Sequence, residues 1–252
     1  MRLPAILPSH IQSGLRLLLT LAASIVTLRL GAGLAAWRAA NNLEKPSYTV
    51  VRRLPMSPPS RGTVEVRKYE PYLIAETTVN EPSMRKAGAA GFGRCAGYIF
   101  GKNEPRTKGG VESEKMAMTA PVRSVGTAGE KMAMTSPVRT SGSASSSGRT
   151  KISFVIGSKY SLQNAPKPID SSVQVKMVKG HYLAATSFSG PPPSDERISK
   201  ERSAILLALE KEGIRVKNKD ETVVYGYHDP VVTPNFLRRN EVCVTVDGSS
   251  IQ

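Results

Sequence analysis

The apolar positions along this chain change period several times, and the changes mark out its elements. From Glu114 to Arg123 (EKMAMTAPVR) the residues alternate. Met116, Met118, Ala120 and Val122 fall on one face of an extended strand, and Ala117, Thr119, Pro121 and Arg123 on the other. Glu130–Arg139 (EKMAMTSPVR) repeats the pattern with Met132, Met134, Ser136 and Val138. Methionine is unbranched and polarisable, so paired methionines in register predict a soft apolar wall for a large flat ligand. The plainer expectation is a duplicated half-buried strand whose methionines fill a core.

Val64–Val79 is rich in β-branched and aromatic residues and predicts one long bent strand or two short ones, with the kink at Pro71. In Ser83–Tyr98 apolar and small residues (Met84, Ala87, Gly88, Phe92, Cys95, then Ile99) recur at spacings of three and four, which predicts a helix capped by Ser83. Its glycines weaken it but let it lie close to a sheet or a ligand plane. Ile152–Ile156 reads as a strand. Val173–Val178 and Tyr182–Phe188 read as a hairpin about Lys179-Gly180-His181. Ser194–Gly213 carries the clearest helical stripe, capped by Ser194 with Asp195 and Glu196 in its first turn. Val223–Tyr227 and Val242–Val246 are the last strands, and Ser141–Gly148 is a loop. The order β, α, β, β thus occurs twice. An α+β fold follows: a short antiparallel sheet with two helices, built by internal duplication and curling towards a barrel.

The first 43 residues contain no Asp or Glu and several arginines, the composition of an organelle transit peptide. A membrane anchor is the second reading and a secretory signal the third. Leu17–Leu28 is apolar but shorter than the roughly 20 residues of a span. Continuing it to Trp37 encloses Arg29, at a cost of about 2.5–3.5 kcal/mol near a bilayer centre. Leu54–Arg61, rich in Pro and Ser, reads as a linker, giving an extension over 1–60 and a folded domain over 61–252.

Composition narrows the function. Hydrophobic residues at 40% and charged residues at 22% describe a globular protein. Cys95 and Cys243 make no disulfide framework, and three histidines leave little for a metal site. The net charge of +15 raises nucleic acid as a partner. Much of it sits in Arg2, Arg16, Arg29, Arg38, Lys45, Arg52, Arg53 and Arg61, opposed before Gly62 by Glu44 alone, and no basic-aromatic stripe follows, which argues against nucleic acid. No nucleophile elbow, P-loop or dinucleotide fingerprint occurs. Asp195/Glu196 cap a helix, and His181 and His228 sit at strand ends, so no catalytic residue is nominated. A binding cleft suits the residues better. Phe92, Tyr98, Phe100, Met116, Met118, Met132 and Met134 supply its apolar lining. Arg123, Arg238 and Arg239, with Lys115, Lys131 and Arg139, are the cations for a ligand's carboxylates. For each cation the plain alternative is a solvated surface charge, and for Arg238–Glu241 a clamp on a loop.

VEVRKYEPYLIAETTV, GYIFGKN, EKMAMTAPV/EKMAMTSPV, ISFVIGSKYSL, FSG and RRNEV, in that order over Val64–Val246, resemble the SOUL haem-binding protein family. The tandem Met motif and EPYLIAETT look most like plant and algal members with plastid-targeting extensions. The resemblance implies a distorted antiparallel β-barrel flanked by two helices, from a duplicated βαββ unit like that of small-molecule-sensing regulator domains. It implies non-covalent binding of haem or another tetrapyrrole in an apolar cleft beside the first helix of the body, without catalysis, as a carrier or buffer. The implied localisation is the chloroplast, at thylakoid or plastoglobule, against a mitochondrial or membrane-anchored alternative. The rival function is an adaptor or lipid-body-associated protein that keeps the fold without a tetrapyrrole. An enzyme acting on tetrapyrroles is a third. No axial iron ligand carries over: His181, His228, Cys95 and Met118 all stay open, as does which Met copy joins the sheet.

Overall fold

Proline has no N–H to give a ladder, and the sheet is organised around one such break. In the computed structural model, which describes residues 9–58, 62–81, 83–106, 113–127 and 149–251, strands β2 (Thr63–Tyr69) and β3 (Tyr72–Val79) are separated only by Glu70 and Pro71. Opposite them run β8 (Val173–Val178) and β9 (His181–Phe188), separated by Lys179 and Gly180. β2 pairs with β9 and β3 with β8, and the register passes the bend without a slip: Tyr69 faces His181 and Tyr72 faces Val178. The expected hairpin over Val173–Phe188 is therefore replaced by two long bent strands paired with each other. A one-residue slip at the bend would turn every side chain of one strand to the wrong face.

The remaining strands are β1 (Tyr48–Pro55), β5 (Val122–Thr127), β6 (Thr150–Ile156), β10 (Glu221–Gly226) and β11 (Asn240–Val246), with a separate two-residue pair, β4 (Asn103–Glu104) and β7 (Lys167–Pro168). The large antiparallel sheet runs β1-β2-β9-β11-β10-β5-β6-β3-β8. From its centre, β10-β11-β9-β2 on one side mirrors β5-β6-β3-β8 on the other. Helix α2 (Met84–Ile99) links β3 to β5, and α3 (Asp195–Lys211) links β9 to β10, so the order strand, helix, strand, strand recurs in each half, while β2 and β8 each lie in the half opposite their neighbours β3 and β9 in sequence. Both caps fall where the sequence places them: Ser83 accepts from the Lys86 amide and Ser194 from the Arg197 amide. The barrel expectation needs correcting. β1 and β8 are free edges of the described sheet, so it is not closed; the bent strands give it only curl.

The core lies in three parts. One is under α3, with Ile198, Ile205 and Leu209 on Val242 and Val244, and one is under α2, with Cys95 and Ile99 on Ala75 and Phe154. The third joins Tyr69, Leu183, Tyr225, Tyr227 and Cys243. The expected linker is part of the body: β1 pairs with β2, and Leu54 and Met56 are buried under α3, so the boundary at residue 60 falls inside the β1–β2 connection. The Met-rich stretch is also not a sheet strand. Residues 113–118 belong to no helix or strand, Thr119 bridges Glu44, and β5 begins only at Val122, after Pro121. The second copy, with Met132 and Met134, lies outside the described residues. Before the body, α1 (Ser9–Asn41) is long and apolar enough from Arg16 to Asn41 to cross a membrane.

Candidate functional site

The two helices related by duplication differ in what they turn outwards. α3 exposes Glu196, Lys200 and Glu210, a mixed-charge surface. α2 contains no acidic residue. Its inner face (Met84, Ala87, Gly91, Cys95, Ile99) is buried. Gly91 lies so close to β6 that an added Cβ would be 2.6 Å from Ile152 Cγ1, which brings the helix axis down onto the sheet. Outwards it presents two ridges at spacings of four, Arg85–Ala89–Gly93 and Lys86–Ala90–Arg94, all exposed. Gly88 and Gly93 have open space where a Cβ would point. Phe92 stands beside them, 40% exposed, its edge on Phe154 with ring centroids 5.1 Å apart. Phe100, 56% exposed, follows the last turn. This surface exposes Ala89, Ala90 and Phe92 among the cations Arg85, Lys86 and Arg94.

The expected site residues do not all gather there. Phe92 and Phe100 do. Tyr98 is buried, its hydroxyl donating to the Pro166 carbonyl at 3.0 Å, and burial with the nearby Tyr160 raises its pKa to about 12. Met116 is buried in the core under α2, its amide donating to the Ile99 carbonyl at 2.8 Å, and Met118 packs against the same core. The first Met copy therefore fills an interior and presents no open wall. The expected cations lie on other elements. Arg123, on β5, sits against Tyr72 and Tyr225, and its Nε finds no partner among the described residues. Arg238 Nε donates to the Thr233 carbonyl at 2.6 Å. Arg239 stacks over Tyr227 at 4.7 Å and donates to Glu241 at 2.6 Å. The loop-clamp alternative thus describes Arg238 and Arg239.

Glu241 is a centre the sequence reading passed over. Its carboxylate, fully buried, receives both arms of the buried Arg67 at 2.9 and 3.0 Å, the Ser187 hydroxyl at 2.7 Å and the Tyr227 hydroxyl at 2.7 Å. Burial alone would raise its pKa, but Arg67, Arg239 and Ser187 together outweigh burial and hold it at about 2. The signal was there in VEVRKY, where Arg67 occupies a position in a strand buried on both faces.

A cleft of about 190 Å³ opens between residues 44–47 and the bend at Glu70–Tyr72. It is smaller than the roughly 300–1,000 Å³ of pockets for drug-sized ligands, so a macrocycle is not accommodated there. Among the described residues no cluster of three or more His, Cys, Asp or Glu is placed to hold a metal. Of the open axial candidates, Cys95 is buried and protonated, its thiol pushed up to about 12 by burial. His181 stacks on Tyr69 at 5.3 Å, inside the bend. His228 accepts from the Arg239 amide at 3.0 Å. The exposed residues of α2 include no His, Cys, Met or Tyr, the side chains that ligate haem iron.

The family described as SOUL heme-binding protein matches residues 43–245, the whole body just described. The chain belongs to the SOUL heme-binding protein family. The human protein named heme-binding protein 2 is 31% identical over 212 residues, covering 83% of this chain and 89% of that one. Among solved structures, this SOUL body is similar to a hydrolase encoded by lin2189 from Listeria innocua (11% identity, 82% and 94% of the two chains, TM-score 0.44). It is also similar to SAV2435 bound to tetraphenylphosphonium (10%, 74% and 94%, TM-score 0.40). Likeness at that level says nothing of what this chain binds.

Proposed function

We propose that this SOUL protein is a non-catalytic haem or tetrapyrrole carrier or buffer of plastids, and that it binds on the outward face of α2. The observation that carries this is the outward face of α2, a helix without acidic residues whose exposed small and cationic side chains flank Phe92. Ala89 and Gly93 let a macrocycle approach the helix backbone, Phe92 and Phe100 border it, and Arg85, Lys86 and Arg94 meet its carboxylates. The bound group brings its own light absorption and, in haem, its iron; the chain holds and orients it. Heme-binding by the human relative, as its name states, supports the ligand class.

The acid-free segment before Glu44 directs the protein to the chloroplast in this reading. The outward leucines of α1 favour a second one, in which the segment stays attached and anchors the body to a membrane. Titrating the full chain with haemin and following the Soret band tests the ligand; a saturable shift is expected, weakened about tenfold by Gly93→Leu. Binding that ignores both Gly93→Leu and a double Arg85→Glu/Arg94→Glu change removes α2 as the site, and the absence of any saturable shift removes the carrier reading.

A further inference from the structure

Most of the length of α1 turns large apolar side chains to the outside. Leu17, Leu21, Ile25, Leu28 and Leu34 are all exposed. At 1.5 Å per residue a hydrocarbon layer of about 30 Å takes about 20 residues, and Leu17–Ala36 fits it. That frame sets Trp37 at the boundary with the headgroups and Arg38 beyond it, the places where these residue types are favoured. Arg29 falls about 4 Å from the centre of that frame, where its charge costs about 2.5–3.5 kcal/mol. Gly33 then lies about 5 Å inside.

Gly33 is also where the body touches the helix. A Cβ at Gly33 would be 2.6 Å from Pro234 Cδ and 3.0 Å from the Val232 carbonyl oxygen, so only glycine admits the loop between β10 and β11 this closely. The loop is held at that depth, and its exposed side chains are Val231 (87% exposed), Val232 and Phe236 (70% exposed), with Asn235 the polar one among them. Its backbone is largely satisfied from within. Asp229 accepts from the Val231 and Val232 amides at 2.7 and 2.8 Å, and Leu237 donates to the Pro234 carbonyl. The Thr233 carbonyl receives Arg238 Nε, the Asn235 carbonyl receives the Gly190 amide, and Pro230 and Pro234 have no N–H to satisfy. A segment that leaves water must have its amides paired in this way.

We propose that Val231–Phe236 is a second membrane contact, seated at the headgroup–acyl boundary of the bilayer that α1 enters, so that the body is docked in one orientation and not merely tethered. This rests on the anchor reading of α1, and the experiment separates the two. The full chain is placed in vesicles of phosphatidylcholine and phosphatidylglycerol with brominated acyl chains, and tryptophan quenching is read. Trp37, the single tryptophan, reports α1. Phe236→Trp in a Trp37→Phe background reports the loop, and Val231→Trp in the same background repeats it at the other exposed position. Docking is expected to quench both loop indoles at least half as strongly as Trp37. Quenching of Trp37 with both loop indoles unquenched and open to iodide overturns loop docking and leaves the anchor standing. If Trp37 itself is unquenched, both fail.

Discussion

The Arg67–Glu241 pair permits a quantitative test of what holds the bent sheet together. Glu241 is 0% and Arg67 1% exposed, so solvent screening takes little from their interaction. Holding the carboxyl at about 2 instead of its ordinary 4.5 corresponds to about 3 kcal/mol, at 1.36 kcal/mol per tenfold. Because the folded value lies below the unfolded one, this stabilisation is complete above about pH 4.5 and is lost as the pH falls towards 2. Arg67→Met leaves the carboxylate buried with its main partner gone, which costs about 3–5 kcal/mol. With a urea slope of about 2 kcal/mol/M, the midpoint falls by about 1.5–2.5 M. Removing both charges, as Arg67→Met/Glu241→Leu, no longer strands a carboxylate and is expected to recover at least half of that loss. The assay is urea unfolding followed by circular dichroism across the acid range. If Arg67→Met unfolds within about 1 kcal/mol of wild type, or the double variant is no better than the single one, the pair is not the fold's electrostatic anchor.

Four further outcomes follow from the same geometry. Protoporphyrin without iron is expected to bind within a few-fold of haemin, because the α2 surface supplies no axial ligand; a hundredfold preference for haemin in parallel absorbance titrations would place the ligand elsewhere. Gly91→Ala drives a methyl into Ile152 and is expected to cost about 1–3 kcal/mol, whereas Gly93→Ala, with open space at its Cβ, gains up to about 1 kcal/mol of helix propensity; thermal unfolding ranks the two. Lys86→Gln/Arg94→Gln is expected to weaken tetrapyrrole binding several-fold and to reduce the salt dependence of the remaining affinity, measured by titration at two ionic strengths. Cys95, whose pKa burial raises to about 12, is a neutral thiol at pH 7 and is expected to react with a thiol reagent only on unfolding; rapid labelling of the native protein at Cys95 would contradict its placement between the Ala75 and Ile152 carbonyls.

The helices were legible because their signals are local. Ser83 and Ser194 cap them, and the spacing of seven and four between Ile198, Ile205 and Leu209 marks a buried stripe. The kink at Pro71 was legible for the same reason. Pairing was not, because it is a long-range choice: Lys179-Gly180 has the composition of a turn, yet β8 and β9 find β3 and β2, and the chain bends there instead of reversing. The Met-rich stretch alternates like a strand, but Pro121 and the bridge from Glu44 hold it off the ladder. Leu54 and Met56 were lost in a Pro- and Ser-rich run whose punctuation concealed two core residues.

The candidate site shows the same division between local and long-range information. Cations were sought next to the methionines in sequence and on the terminal RRNEV, but those near the body's core are taken up by it: Arg239 by Glu241 and Tyr227, Arg238 by a loop carbonyl. The cations left facing solvent on an apolar surface are Arg85, Lys86 and Arg94, within the helix itself. Duplication explains why they are informative. α2 and α3 occupy equivalent places in mirrored halves of one sheet, and the sheet constrains only their inner faces. Gly88 and Gly93 cost α2 helix propensity and touch nothing. α3, which has no internal glycine and exposes both signs of charge, shows that the fold does not require such a surface. A tetrapyrrole lying on α2, as we propose, accounts for a helix that gives up propensity at Gly88 and Gly93 and carries exposed cations without acids, on the one of the two helices where the sheet does not ask for it.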